Sequence, residues 1–184
     1  MAGRPGLDWQ GLGLQSQGIR KAVLCTGHLG EIIESHVDAG GPWNMEIVCS
    51  REPRPLGTAG AGRHSLGHLT ADRVLVMNGD SYCPVDVRRL LDAHVGRGAA
   101  VTVWTTVVED VSRFGAVTVA EDGRVLAFGE KAGRGRGLIN TGTYVMEREA
   151  IRSIPKDTAV SLEYDVFPAL IGHGLYAVRS DDPF

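Results

Sequence analysis

The sequence predicts an α/β protein whose sheet is parallel in its first half and more antiparallel in its second. In the first half, short β-rich apolar runs alternate with segments of helical periodicity. This is the pattern of βα units joined by right-handed crossovers. Further along, two alternating segments flank Glu121-Asp122-Gly123. Asp-Gly between such segments is a strong hairpin signal, and it marks the change to antiparallel pairing.

The first βα unit is predicted to follow an undetermined start. Pro5, Leu7 and Trp9 are suited to open a helix, but Gly11 and Gly13 interrupt it at roughly 1 kcal/mol each, so residues 1–17 receive no element. The unit then comprises a strand with an apolar middle and a helix with apolar residues at helical spacing. These two segments are Arg20–Thr26 and Leu29–Val37.

The second unit is predicted to begin with the strand Met45–Cys49. Two prolines stiffen the loop that follows, and Thr58 is placed to N-cap a small-residue helix over Ala59–Leu69. A rigid loop before a helix offers backbone N–H groups to a ligand. From the loop alone, an ordinary strand-to-helix connection is the favoured interpretation.

Val74–Cys83 is the stretch on which the functional prediction depends. Val74–Met77 is wholly apolar and β-rich, which is typical of a strand buried on both faces of a parallel sheet. Asp80 follows at the carboxyl end of this strand, where α/β proteins bind their ligands. A carboxylate there can hold a hard cation such as Mg²⁺. A turn aspartate that bonds its own backbone is an equally frequent alternative.

The rest of the chain completes the predicted sheet. Asp86 is predicted to cap a helix that runs through His94, and Gly142 is predicted to break a strand with a bulge or a close ligand approach. The predicted strands of this part are Ala99–Val108, Phe114–Val119, Arg124–Phe128, Leu138–Met146 and Leu175–Val178. Arg148–Ile154 is predicted as a short helix, and Ser161–Ile171 as a helical or irregular stretch.

The composition is that of an ordinary globular protein. The 184 residues suffice for one sizeable core, and a net charge of −3 gives no basic footprint for nucleic acid. No apolar run is long enough to span a membrane and no signal pattern opens the chain, so a cytoplasmic location is expected. The three scattered cysteines argue against a disulfide framework. His64 and His68 have zinc-compatible spacing but no third ligand at hand.

Several segments, taken in order, resemble one family, the sugar-1-phosphate nucleotidyltransferases. The resemblance is greatest to mannose-1-phosphate and D-glycero-D-manno-heptose 1-phosphate guanylyltransferases. The segments are PLGTAGA (Pro55–Ala61), VLVMNGDSYC (Val74–Cys83), SRFGAVTV (Ser112–Val119), FGEK (Phe128–Lys131), LINTGTYVM (Leu138–Met146) and SLEYDVFP (Ser161–Pro168).

The resemblance implies a fold and a reaction. The fold is a Rossmann-like (GT-A-type) three-layer α/β/α mixed sheet with an antiparallel hairpin insertion. The reaction joins a nucleoside triphosphate, with GTP expected, to a mannose- or heptose-type sugar 1-phosphate and releases pyrophosphate. Mg²⁺ and cationic side chains would offset the repulsion between the two anions. The implied partners are these two substrates, with no nucleic acid and no membrane, and a homo-oligomer is left open.

The resemblance also implies the roles of individual residues. Asp80 would hold Mg²⁺, and Lys131 would neutralise the sugar phosphate, which makes these two the implied catalytic residues. The implied nucleotide-binding segment is Leu56, Gly57, Thr58, Ala59 and Gly60. The other implied substrate-binding residues are Gly115, through its backbone, Glu130, Asn140, Thr141, Gly142 and, more weakly, Glu163. Without the resemblance, the charged residues of these sets would be interpreted as solvated surface residues.

Two departures from the family pattern shape the functional prediction. The G-G-x-G-T-R-L loop, which cradles the triphosphate, and the D-I-G-T-P segment, which completes the metal site, are both missing from the sequence. The expectation is therefore one nucleotidyltransferase domain over residues 1–184, truncated at both ends and weakly active at best. The alternative is a catalytically inactive sugar-nucleotide-binding or regulatory fragment. A glycosyltransferase of related fold is disfavoured, because Ser81-Tyr82 follows Asp80 where a D-x-D motif is expected.

Overall fold

The computed structural model describes residues 3–129 and 135–180. The strands are β1 (Lys21–Thr26), β2 (Glu46–Arg51), β3 (Arg73–Met77), β4 (Val101–Val108), β5 (Ala116–Val119), β6 (Val125–Gly129), β7 (Gly137–Glu147) and β8 (Leu175–Arg179). The α-helices are α1 (Gly6–Ser16), α2 (Gly30–Asp38), α3 (Gly57–His64), α4 (Val87–Arg97), α5 (Arg148–Arg152) and α6 (Phe167–Leu170). Ser65–His68 and Val111–Arg113 form 3₁₀ turns, and Leu162–Val166 forms a π turn.

The strand β7 lies at the centre of the main sheet. It pairs antiparallel with β4 along one edge, and with β3 and β5 along the other. The sheet continues from β4 to a parallel β8 and from β5 to an antiparallel β6, while β1 and β2 form a separate parallel pair. The mixed sheet and the antiparallel hairpin are therefore confirmed.

The prediction that β3 lies between parallel strands is wrong, because β3 pairs antiparallel with β7. Both β3 and β4 run antiparallel to β7, so they are parallel to each other but are separated by it. The apolar residues of β3 are half-buried rather than enclosed on both faces. The local sequence pattern indicates that β3 and β4 are parallel strands joined by a crossover. It does not indicate that β7, which comes later in the chain, lies between them.

The main sheet separates two apolar clusters, because alternate side chains of β7 point to opposite faces. Tyr144 and Met146 join one cluster, and Val145 joins the other. The first cluster also contains residues of α5, α6 and the hairpin, among them Ile151, Phe167, Val117 and Val125. The second contains Leu90 of α4 with Cys83, Trp104 and Val178. Helices thus cover both faces of a three-layer α/β/α arrangement. None of the helices in the described ranges is long and apolar enough to cross a membrane.

The helix α1 forms where the sequence assigned no element, and it runs through both glycines. A Cβ atom on Gly11 would lie 2.6 Å from the ring of Trp43, so the missing side chain lets this indole pack against the helix. Asp8, which is buried, accepts a hydrogen bond from His36 of α2 at 2.6 Å. Tertiary contacts therefore outweigh the low helix propensity of glycine.

The two predicted helix caps have opposite outcomes. The Asp86 cap is confirmed, because its Oδ1 accepts a hydrogen bond from the backbone N–H of Arg89 at 2.9 Å. The Thr58 cap is wrong, because α3 starts at Gly57, two residues before the predicted Ala59, and its N-cap residue Leu56 makes no side-chain cap bond. The predicted helix over Ala59–Leu69 also ends early, at His64, where the chain turns into a 3₁₀ turn.

We expect the two glycines of α1 to respond oppositely to alanine. Gly13→Ala should raise the free energy of unfolding by about 0.5–1 kcal/mol, because a Cβ there meets no atom within 4 Å and alanine favours the helix. Gly11→Ala should be less stable than Gly13→Ala by about 1–3 kcal/mol, the usual cost of overpacking. Urea denaturation of both variants measures the difference, and equal stabilities would contradict the packing of Trp43 on α1.

We expect the stability of the protein to depend on pH through His94. This histidine is fully buried, its Nε2 donates to Glu147, and its Nδ1 accepts from the hydroxyl of Thr102. Burial lowers its pKa, an effect that the hydrogen bond with Glu147 partly opposes. The unfolded chain therefore binds more protons just below pH 6.5, and stability should fall as the pH is lowered through that range, by up to about 1.4 kcal/mol per unit.

The test compares the slope of unfolding free energy against pH in His94→Gln and in the exposed control His173→Gln. The slope between pH 7 and the folded pKa should flatten only in His94→Gln. A parallel slope in that variant and in the unmodified chain would contradict the assignment.

Candidate active site

The Asp80 loop leaves β3 at the edge of a cleft of about 740 Å³. The backbone N–H of Asn78 donates to the carbonyl of Gly142 at 2.8 Å, which ties the end of β3 to β7. Asp80 is exposed, and its Oδ1 accepts a hydrogen bond from the hydroxyl of Ser81 at 3.1 Å. The cleft is lined by Gly6, Gln10, Asn78, Gly79, Asp80, Ser81, Tyr82, Phe114, Asn140, Thr141 and Gly142.

Gln10 supports the Asp80 loop from α1. Its amide nitrogen donates to the carbonyls of Asn78 and Ser81, at 2.8 and 2.7 Å, so one buried side chain spans the loop on both sides of Asp80. Sequence reasoning missed this residue, because the helix that carries it was not predicted. A glutamine on a helix carries no functional signal of its own.

The bend at Gly142 brings three of the predicted sugar-pocket residues into the same cleft as Asp80. The register of β7 against β4 shifts here, so Trp104 faces Thr143 and Thr105 faces Asn140. Gly142 has φ 76°, and a Cβ on it would lie 2.8 Å from the side chain of Asn78. The predicted bulge at this glycine is therefore confirmed, within a strand that continues on both sides of it. Both the positive φ and the close approach explain why the position takes glycine.

The polar side chains at this bend are bonded within the protein. The hydroxyl of Thr141 is buried and donates to the carbonyl of Trp104 at 2.7 Å. The Asn140 amide donates to the hydroxyl oxygen of Tyr144 at 2.7 Å, and its Oδ1 accepts from the N–H of Gly142 at 2.9 Å. The bend is thus held rigidly by its own side chains.

A polar relay, formed by Thr58, Glu163, Tyr144 and Asn140, continues behind the bend. Tyr144 donates to Oε1 of Glu163 at 3.0 Å, and Thr58 donates to Oε2 at 3.1 Å. Burial, with the charge of Glu163 second, raises the pKa of Tyr144, so this fully buried phenol keeps its proton. The structure thus connects Glu163 to both the predicted nucleotide segment and the predicted sugar pocket.

The predicted nucleotide segment exposes only part of its surface. The side chains of Leu56 and Ala59 are buried, Gly60 is also buried, and Gly57 and Thr58 are exposed. The N–H groups of Ala59 and Gly60 donate to the carbonyl of Val160, and that of Leu56 donates to Glu52. These donors therefore stabilise a connection within the fold.

The remaining predicted residues are divided between described and undescribed parts of the chain. Gly115 lies beside the cleft-lining Phe114, and its carbonyl accepts a hydrogen bond from the N–H of Asn140 at 3.1 Å. Glu130 and Lys131 lie outside the described residues. Residues 3–129 and 135–180 contain no group of three or more His, Cys, Asp or Glu side chains that could hold a metal by themselves.

The donor chemistry of the cleft fits Mg²⁺ when phosphate is also present. Among its described lining residues, Asp80 carries the one negative charge and no side chain carries a positive charge. Mg²⁺ is commonly held by one or two carboxylates together with substrate phosphates and water. A phosphate near Asp80 would need such a cation to offset the repulsion between the two anions.

We expect Gly142→Ala to disturb the site far more than Gly79→Ala. The first substitution forces a left-handed backbone on alanine and a clash with Asn78, at a cost of about 2 kcal/mol or more in unfolding free energy. The second places a Cβ in open space in the lining of the same cleft, so its cost should stay within about 0.5 kcal/mol. Urea denaturation measures both, and a neutral Gly142→Ala would contradict the strained bend.

Comparisons with known proteins show which family the chain belongs to. Residues 8–182 match the family described as Nucleotidyl transferase. Over 162 residues, the chain is 36% identical to mannose-1-phosphate guanylyltransferase of Mycobacterium tuberculosis, covering 88% of this chain and 45% of that protein. It is 32% identical over 153 residues to D-glycero-alpha-D-manno-heptose 1-phosphate guanylyltransferase of Aneurinibacillus thermoaerophilus, covering 83% and 65%.

A third relative and a solved structure extend the comparison. UTP–glucose-1-phosphate uridylyltransferase of Synechocystis is 32% identical, covering 91% of this chain and 48% of that protein. The crystal structure of HddC from Yersinia pseudotuberculosis complexed with GMP-PN superposes with a TM-score of 0.89 at 28% identity, covering 97% of this chain and 78% of that chain. The chain spans about half the length of the curated relatives it matches.

Proposed function

Because the chain belongs to the nucleotidyl transferase family, we propose that it joins a nucleoside triphosphate to a sugar 1-phosphate and releases pyrophosphate. The observation that carries this proposal is the placement of Asp80. It follows β3 at the edge of a cleft that it shares with the bend at Gly142. The cleft thus combines a carboxylate suited to a metal-bound phosphate with a rigid, glycine-containing wall suited to close approach by a ligand.

The proposed substrates are GTP and a mannose- or heptose-type sugar 1-phosphate. Two of the relatives described above are guanylyltransferases of these sugar phosphates by name, and the structural neighbour was solved with GMP-PN. The uridylyltransferase relative makes UTP with glucose 1-phosphate the competing pair. The turnover experiment described below therefore decides which base and which sugar the chain uses.

The proposed mechanism is an in-line transfer at the α-phosphorus. An oxygen of the sugar phosphate forms the new P–O bond, and the bond from the α-phosphorus to the bridging oxygen of the β-phosphate breaks, with pyrophosphate as the leaving group. Bound Mg²⁺ would neutralise charge that develops on the phosphate oxygens. Asp80 would hold the cation, and Gln10 would keep the loop that carries Asp80 in place.

The other residues of the proposed mechanism bind and orient the substrates. Gly57 and Thr58 would offer the exposed surface to the nucleotide, because Leu56 and Ala59 are buried. Glu130 would accept hydrogen bonds from sugar hydroxyls, and Lys131 would neutralise the sugar phosphate. The Gly115 backbone and the bend at Gly142 would shape the sugar side of the cleft.

A catalytically inactive sugar-nucleotide-binding or regulatory role is the second candidate. One observation favours it: the described lining of the cleft has a single carboxylate and no cationic side chain. Phosphoryl transfer between two anions generally uses more positive charge than this. The two candidates differ in turnover, whereas both require binding.

The decisive experiment measures turnover and binding with the same purified chain. Each of GTP, UTP, ATP and CTP is paired with mannose, heptose and glucose 1-phosphates in the presence of Mg²⁺. Pyrophosphate release and mass spectrometry of the nucleotide sugar report turnover. Product from one pair supports the enzyme and identifies its substrates. Calorimetric binding of a nucleotide sugar without product in any pair would support the binding role, and neither binding nor product would refute both.

We expect Asp80→Asn to weaken Mg²⁺-dependent nucleotide binding by about 10- to 100-fold, the loss that follows removal of one charged contact. Titration calorimetry with and without Mg²⁺ measures the effect. Asp92→Asn is the matched control, because it removes the same charge from the exposed face of α4, away from the cleft. Equal weakening in both variants would show that the loss reflects overall charge and not a metal site.

A further inference from the structure

The direction of every hydrogen bond in the polar relay follows from the charge of Glu163. A carboxylate only accepts, so the hydroxyl of Tyr144 must donate its single proton to it. The oxygen of Tyr144 is then left to accept, and the side of the Asn140 amide that faces it must be the NH₂ group. The amide oxygen is thereby turned toward the N–H of Gly142.

Both oxygens of Glu163 are bonded within the protein. Oε1 accepts from Tyr144, while Oε2 accepts from the hydroxyls of Thr58 and Ser161, both at 3.1 Å. The Thr58 hydroxyl in turn accepts from the N–H of Leu162 at 2.8 Å. The carboxylate therefore accepts three hydrogen bonds from hydroxyl groups of the chain, which lie on three separate segments.

We infer that Glu163 is a positioning residue, which holds the Gly142 bend through Tyr144 and Asn140 and at the same time anchors Thr58, and that it does not itself bind the sugar. The inference rests on the proposed function in one respect, namely that the bend contacts the sugar and Thr58 contacts the nucleotide. Its structural content is independent of any ligand: removing the Tyr144 hydroxyl frees the Asn140 amide, whose oxygen accepts from the N–H of Gly142, to rotate.

The first test uses the ligand-free protein. Tyr144→Phe removes the hydroxyl and keeps the buried ring, which packs against Phe167 with centroids 4.9 Å apart. Hydrogen exchange of the Gly142 amide, followed by NMR, should accelerate by about five- to tenfold, because its acceptor is no longer fixed. Amides of the distant β1–β2 pair should not change. Tyr176→Phe, on β8, is the matched control and should leave Gly142 unchanged.

The second test measures binding of mannose 1-phosphate in the presence of Mg²⁺ and a non-hydrolysable GTP analogue. Tyr144→Phe and Glu163→Gln should each weaken binding by about three- to tenfold, and the double variant should be no worse than either single variant, because both act through one relay. If Glu163 bound the sugar directly, Glu163→Gln would have the larger effect and the two losses would multiply.

The two tests separate the possible failures. Unchanged Gly142 exchange in Tyr144→Phe, or multiplied losses in the double variant, overturns the positioning role. Accelerated exchange in a chain that binds none of mannose, heptose and glucose 1-phosphates retains the positioning role and refutes the proposed function. If Tyr144→Phe fails to fold, Glu163→Gln replaces it in the exchange test, since this side chain is only half-buried and its amide cannot accept on both sides.

Discussion

The bend at Gly142 is the constraint on which the rest of the site depends. It is a bulge in β7, the strand that pairs with β3, β4 and β5. The carbonyl of Gly142 accepts a hydrogen bond from the N–H of Asn78. This bond fixes the end of β3 and therefore the start of the loop that carries Asp80. One glycine in a left-handed conformation thereby joins the bend in β7 to the loop that carries the proposed metal-binding carboxylate.

The two walls of the cleft are supported by different parts of the fold. On the Asp80 side, Gln10 of α1 holds the loop through two backbone carbonyls. On the other side, the relay behind Gly142 leads through Tyr144 to Glu163, in the π turn before α6, and from there to Thr58. Each support consists of buried or half-buried hydrogen bonds. Removing one partner of such a bond destabilises the fold, because the other partner is left buried without a hydrogen bond. Both sides of the cleft are therefore held in place by side chains whose polar groups are bonded within the chain.

The strands and the hairpin were predictable because burial leaves a local pattern of β-rich apolar residues bounded by turn residues. The position of Asp80 and the break at Gly142 were predictable for the same reason. Sequence reasoning failed where the deciding contact is distant in the chain. Thr58 was expected to cap its own helix, but its hydroxyl donates to Glu163, 105 residues away. Helix α1 was missed because the fit of Trp43 against Gly11 has no local signature. The pairing of β3 depended on β7, which the chain supplies only after the hairpin.

A ¹⁵N NMR titration of the chain with GTP and Mg²⁺ would show whether the cleft binds nucleotide together with a metal ion. The account predicts that the amides with the largest shifts fall in three segments, namely residues 57–58, 78–82 and 140–142. It also predicts that replacing Mg²⁺ with paramagnetic Mn²⁺ broadens the signals around Asp80 first. Saturation with GTP that shifts only amides outside these segments, or that broadens no signal near Asp80, would contradict the claim that this cleft is a metal-dependent nucleotidyl transfer site.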